Sequence, residues 1–293
     1  MLICHEGIMA TINRSRIFIE SLLKLTRFGN LVIIGITQYF TAAFLVDITT
    51  LDDGRLFLLS VSTVLIAAAG YIINDYYDVK IDYINKPERV VIGKNIPRRY
   101  AILFHVVLSG IGILIGLLLS WRIAALNVLS AFLLWLYSNN LKRLPFIGNF
   151  SVAFLTGLSV WIVDLLYRHG SALIVIYASF AFFMTLVREI IKDMEDLKGD
   201  NTFGCKTLPI VWGLRRTKFV IYFILAIFGS TVLLINKFYK ALPLEYFLIF
   251  LFIPLLILLY RLIRADTTRD FAALSTFCKI IMLLGILSMA FVK

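Results

Sequence analysis

Nine apolar stretches limit what this chain can fold into. They run roughly over 28–46, 56–74, 100–121, 123–140, 145–163, 170–189, 219–236, 244–260 and 271–291. Each is close to the ~20 residues a helix needs to cross a bilayer. In hydrocarbon every backbone N–H and C=O must be paired within the protein, so continuous apolar runs of this length leave a helix bundle as the solution. A β-barrel would alternate apolar and polar residues, and these runs do not. The expected fold is therefore all-α, a polytopic membrane helix bundle of about nine transmembrane helices. Composition agrees: 16% of the 293 residues are charged, against roughly 25% in soluble domains. The eighth run begins just after Pro243 and contains Pro254, and the ninth carries Lys279 at its middle.

Residues 1–27 read as a separate interfacial segment. They are polar and basic at Arg14 and Arg16, then apolar at Ile17, Leu22, Leu23 and Leu25 beside Lys24 and Arg27. That pattern predicts a short helix lying on the membrane, and it lacks the cleavage site of a signal peptide. Residues 28–293 form the intramembrane domain. With the N-terminus inside, the cytoplasmic segments hold 21 Lys and Arg residues and the outer segments 6, a bias that supports nine spans in this orientation. The net charge of +11 then reflects basic loops against anionic lipid, and no nucleic-acid partner is expected. No feature points to an obligate protein partner. Cys4, Cys205 and Cys278 show no CxxC spacing and read as packing residues.

The chemistry sits in one stretch and its echo. The first is Asn74-Asp75-Tyr76-Tyr77-Asp78-Val79-Lys80-Ile81-Asp82, and the second runs from Lys192 through Asp193, Asp196 and Lys198 to Asp200. In both, aspartates fall at i, i+3 and i+7, one face of a helix. Both follow an even-numbered span and so share the cytoplasmic side. Like charges at this spacing, at helix C-terminal ends where the dipole disfavours acids, cost stability unless a cation intervenes. Without His or Cys at ligand spacing the set does not suit zinc. Carboxylates with the Asn74 carbonyl suit Mg²⁺. The surrounding Lys86, Arg89, Lys94, Lys142, Arg143, Lys192, Lys198 and Lys206 suit free phosphate oxygens. Metal plus diphosphate beside an apolar bundle points to a prenyl diphosphate, with its head at the charged mouth and its tail between helices.

At this point the residues resemble a family. NDYYDVKIDYINKPER and REIIKDMEDLKGD look like the first and second motifs of the UbiA-type intramembrane prenyltransferases, and YSNNLKR and CKTLPIVWG resemble further family segments. Within the superfamily, the second motif is most similar to that of the digeranylgeranylglyceryl phosphate synthases. Where many members read RPIPSG after the first motif, this chain reads RVVIGK. The resemblance implies a bundle of nine helices around a lipid-facing cavity. Asn74, Asp75, Asp78, Asp82, Asp193, Asp196 and Asp200 would surround Mg²⁺ and diphosphate, with Asp75, Asp78, Asp193 and Asp196 central to catalysis. Arg89 and Lys142 would bind diphosphate oxygens, with Lys192 and Lys206 as further cations. Tyr71, Tyr76, Tyr77 or Tyr137 would shield an allylic cation by cation–π contact. The activity implied is Mg²⁺-dependent transfer of a polyprenyl group, geranylgeranyl for the synthases, to a lipophilic acceptor. The acceptor is geranylgeranylglyceryl phosphate or, alternatively, an aromatic quinone precursor. The expected location is the cell membrane, with the active site facing the cytoplasm.

Two competing readings make different demands. An ion-coupled transporter would place its acids near mid-membrane on broken helices. A CDP-alcohol transferase would carry DGxxAR, which does not occur here. Remaining features read as scaffold: Gly112 and Gly116 as a GxxxG packing pair, His105 as a packed or hydrogen-bonded residue, and Asp164 as an interfacial residue. Arg27 and Asn30 read equally as a helix-end anchor and as cavity residues.

Overall fold

The computed structural model describes residues 18–85, 87–239 and 244–292. Most of the expected N-terminal segment, including Arg14 and Arg16, lies outside them, as do Cys4 and Lys86. Residues 18–25 are helical, with Ser21 and Leu25 buried and Phe18, Ile19 and Leu23 exposed. The helices that follow are α1 (Phe28–Leu45), α2 (Gly54–Asn85), α3 (Arg98–Leu119), α4 (Trp121–Asn139), α5 (Ile147–Tyr167), α6 (Ala172–Glu195), α7 (Leu197–Thr202), α8 (Leu208–Tyr239), α9 (Leu244–Phe247), α10 (Ile253–Arg264) and α11 (Thr268–Ser288). Eight described helices are long and apolar enough to cross a membrane.

The expected eighth span is the one that departs. Its residues form α9, a π-helical turn over Leu248–Phe252, and α10. Pro254 is the physical reason: it offers no N–H to the carbonyl four residues back and crowds it, so the ladder widens just before the ring. Helix α8 is also interrupted, at Gly213, whose φ of 78° and ψ of 162° set off a short Leu208–Trp212 piece from the spanning part.

Consecutive helices pack as neighbours, and α6 sits at the centre against α5, α8 and α11. Its buried stripe, including Met184, Val187, Ile190, Ile191 and Met194, anchors the largest apolar cluster with Phe228 of α8 and Phe271 of α11. The α2–α3–α4 side is held differently. Ser62 Oγ donates to Gly112 O at 2.7 Å, and Asn127 Nδ2 reaches both Ser62 Oγ (2.7 Å) and Gly112 O (3.1 Å). A Cβ at Gly112 would lie 3.0 Å from Ser62 O, and one at Gly116 would lie 2.2 Å from Asn127 Nδ2. The GxxxG pair is thus a packing device, with small residues admitting a polar tie between helices. His105 Nδ1 contacts Ala69 O at 3.0 Å, and Asp164 accepts from Gly170 N–H at 2.8 Å; both serve the scaffold. Cys205 and Cys278 are buried free thiols.

Asn127→Ala removes both interhelical hydrogen bonds without adding bulk. It is expected to lower stability by about 1 kcal/mol, read as a lower midpoint in detergent-induced unfolding.

Candidate active site

Five helix ends meet at one end of the bundle: the start of α1, the last turns of α2 and α4, the start of α5 and the end of α6. Each carries a side chain of the site. On α2, Tyr71, Asp75, Asp78 and Asp82 share a face by helical spacing. The helix does not end at the motif, as the sequence pattern implied, but continues to Asn85. The C-terminal dipole argument therefore fails for Asp75. It holds for the echo, because α6 ends at Glu195 and Asp196 caps it with φ −88° and ψ 7°. The second motif is bent rather than one continuous face: Asp193 is on α6, Asp196 at the corner and Asp200 on α7.

Three of the carboxylates have side-chain partners at short range. Arg27 Nη2 meets Asp75 Oδ1 at 2.9 Å, with its guanidinium 4.9 Å from the Tyr71 ring centre. Asn30 Nδ2 donates to Tyr71 Oη at 3.3 Å. Lys142 Nζ meets Asp78 Oδ1 at 2.6 Å, and both side chains are largely buried. Asn74 Nδ2 donates to Asp78 Oδ2 at 2.9 Å. Across the cleft, Asn149 Nδ2 donates to Asp193 Oδ2 at 2.9 Å. The two motifs feel each other: Asp200 interacts electrostatically with Asp78 and Lys142, and Asp82 with Lys192. Tyr137, on α4, interacts with Asp78 of one motif and Asp193 of the other.

Two close approaches build this cluster. A Cβ at Gly148 would lie 2.7 Å from Leu141 O and 2.9 Å from Lys142 Cα, so only glycine lets the start of α5 seat the Lys142 turn. Lys206 N–H then donates to Arg143 O at 2.8 Å, tying the segment after the second motif to the same turn. The charges respond to this enclosure. Burial lowers the Lys142 pKa, and the attraction of Asp78 only partly opposes that. For Arg27, Asp75 and then Tyr71 outweigh burial and raise it. Burial, then Asp196, pushes the Asp200 carboxyl up to about 6.

Of the sequence candidates, Asn74, Asp75, Asp78, Asp82, Lys142, Asp193, Asp196, Asp200, Lys192 and Tyr137 gather at this end. The Lys206 side chain is exposed, with its backbone at the rim. Arg89 ends a 3-10 turn over Pro87–Arg89, and its side chain lies outside the described part. The loop that follows folds on itself at Gly93, with Val91, Ile92 and Ile96 buried against Leu25 and Ile72. Tyr76 points the other way, into that cluster and under Arg98 at 4.6 Å, because it lies one residue off the acidic face. Tyr71 and Tyr137 are the tyrosines among the acids. Sequence reasoning missed Asn149 and left Arg27 undecided. A polar residue interrupting an apolar run was the available signal for Asn149.

Among the described residues no three of His, Cys, Asp and Glu converge as a ready cage. Mg²⁺ does not require one, since it takes one or two carboxylates and completes its shell with water and phosphate oxygens. The donor set fits that pattern. Asn74 Oδ1 is buried without a hydrogen-bond partner, an oxygen acceptor beside Asp78 suited to a hard cation.

Residues 36–285 match the model of the UbiA prenyltransferase family. The digeranylgeranylglyceryl phosphate synthase of Sulfurisphaera tokodaii is 35% identical over 214 residues, 72% of this chain and 76% of that one. That of Saccharolobus solfataricus is 34% identical over 277 residues, 92% and 95% of the two chains. A solved structure concerned with digeranylgeranylglyceryl phosphate synthase in membranes superposes with a TM-score of 0.71 at 26% identity, covering 94% of this chain and 98% of the other. A UbiA homolog from Archaeoglobus fulgidus bound to GPP and Mg²⁺ shares the fold, with a TM-score of 0.63 at 16% identity, covering 92% of this chain and 99% of that one.

Because Asp200 has its pKa raised to about 6, it is a carboxylate above that pH and neutral below it. Divalent-cation affinity is expected to fall as pH drops through about 6. Calorimetric Mg²⁺ titration in the presence of a diphosphate, from about pH 8 to about pH 5, reads the effect, and Asp200→Asn should flatten the dependence.

Proposed function

The chain belongs to the UbiA prenyltransferase family, and within it we propose Mg²⁺-dependent transfer of a geranylgeranyl group from its diphosphate to geranylgeranylglyceryl phosphate. The observation that carries the site assignment is the convergence of two aspartate motifs with buried cations at one end of an apolar bundle. Relatives named for this activity, similar along most of both chains, support the acceptor.

Asp75, Asp78 and Asp82, with Asn74, and Asp193, Asp196 and Asp200 would hold Mg²⁺, which supplies positive charge to a departing diphosphate. Arg27, Lys142 and Lys192, with Arg89 and Lys206 at the rim, take free phosphate oxygens. Arg27 and Lys142 lie against Asp75 and Asp78 and exchange those carboxylates for phosphate when substrate enters. The C–O bond breaks with its electron pair leaving on diphosphate. The π faces of Tyr71 and Tyr137 stabilise the allylic cation. The acceptor hydroxyl oxygen then bonds to the allylic carbon, and its proton passes to a motif carboxylate, Asp75 or Asp193. The excess of basic residues in one set of loops supports a site facing the cytoplasm of the cell membrane, with residues 18–25 lying along its surface.

Purified protein with Mg²⁺ and labelled geranylgeranyl diphosphate is expected to prenylate geranylgeranylglyceryl phosphate in preference to 4-hydroxybenzoate or homogentisate. Transfer to the aromatics alone would overturn the acceptor reading. Asp75→Ala and Asp193→Ala are each expected to lower the transfer rate by about 10²–10³-fold.

A further inference from the structure

Below the aspartates lies a second charged cluster that the diphosphate chemistry does not use. Arg188 is five residues before Asp193 on α6, about 7.5 Å deeper along the helix. Its Nη1 meets Glu189 Oε1 at 2.5 Å, while its Nε is buried without a hydrogen-bond partner. Lys279 stands opposite, on the flank of the buried stripe of α11, and is exposed. It interacts electrostatically with Glu189, as do Arg188, Lys192 and Arg27. Arg188 also acts on Cys278, the residue before Lys279. The two cations therefore act on one acid from helices that pack against each other.

Charged side chains inside a membrane are costly and mark ligand paths. Arg188, partly buried, and Lys279, exposed, are both basic and lie on helices packed against each other, and the buried Nε of Arg188 has no acceptor among the described groups. An anion with several oxygens is the ligand such a pair fits. The diphosphate belongs one level up, among Arg27, Lys142 and the aspartates. The acceptor named above, on whose assignment this inference rests, brings its own anion into the membrane: a phosphate monoester, two carbons from the hydroxyl that attacks.

We propose that Arg188 and Lys279 form the subsite for the phosphate of the acceptor lipid. Glu189 is a positioning residue that holds both cations in place. A phosphate seated there leaves the neighbouring hydroxyl directed toward the motifs, and an uncharged acceptor forfeits the contact.

The test is steady-state transfer by the full chain in detergent, with Mg²⁺ and geranylgeranyl diphosphate. Geranylgeranylglyceryl phosphate and its dephosphorylated alcohol are compared as acceptors. Lys279→Met is expected to raise KM for the phosphorylated acceptor about tenfold, to erode its preference over the alcohol, and to leave the donor KM in place. Arg188→Gln should do the same and Arg188→Lys recover part of the loss; if Arg188→Gln does not fold, Lys279→Met decides. A rise in donor KM instead would mean that the cations serve the diphosphate, and an unchanged preference for the phosphorylated acceptor in Lys279→Met would also overturn the subsite. A wild-type protein that prenylates neither glyceryl acceptor but does prenylate an aromatic sinks the acceptor reading itself.

Discussion

Carboxylates buried at one end of an apolar bundle are the constraint on which the rest depends. A lone buried carboxylate is strongly disfavoured, and several together more so. The fold answers by bringing a partner from another segment to three of them: Arg27 from the start of α1 to Asp75, Lys142 from the turn after α4 to Asp78, and Asn149 from α5 to Asp193. These contacts draw five helix ends together and hold the two motifs face to face.

The scaffold beneath follows the economy of membrane packing. Apolar side chains gain little from leaving lipid for protein, so close contact and polar ties carry the specificity. On the α2–α3–α4 side, Gly112 and Gly116 admit Ser62 and Asn127 to hydrogen-bonding distance. On the α6 side, aromatic and branched residues of α8 and α11 enclose a continuous apolar stripe. Arg188 and Glu189 pair with each other on α6, below the aspartates of the second motif.

Much of the site was legible because its residues repeat a spacing. Aspartates at i, i+3 and i+7, twice, after even-numbered spans, single out the residues that the structure brings together at one end of the bundle. Residues that act singly were not legible in that way. Asn149 is one polar residue at the start of an apolar run, and its role exists only because α5 packs beside α6. Tyr76 looked equivalent to Tyr71, yet one residue of offset turned it into the apolar cluster under Arg98. The bend at Asp196 and the π turn before Pro254 each adjusted a helix drawn too simply, through local backbone geometry that hydropathy does not record.

The sequence by itself determined that the chain crosses the membrane repeatedly as helices, since backbone groups in hydrocarbon have no other partners. It also determined that the two acidic motifs follow even-numbered spans and so share one side of the membrane, because span order and motif spacing are properties of the linear order. Only the tertiary structure decided which cation meets which carboxylate. It also decided which tyrosines lie among the acids. Those facts depend on how helices distant in sequence rotate and slide against one another, and packing sets that rotation through the close approaches at Gly112, Gly116 and Gly148.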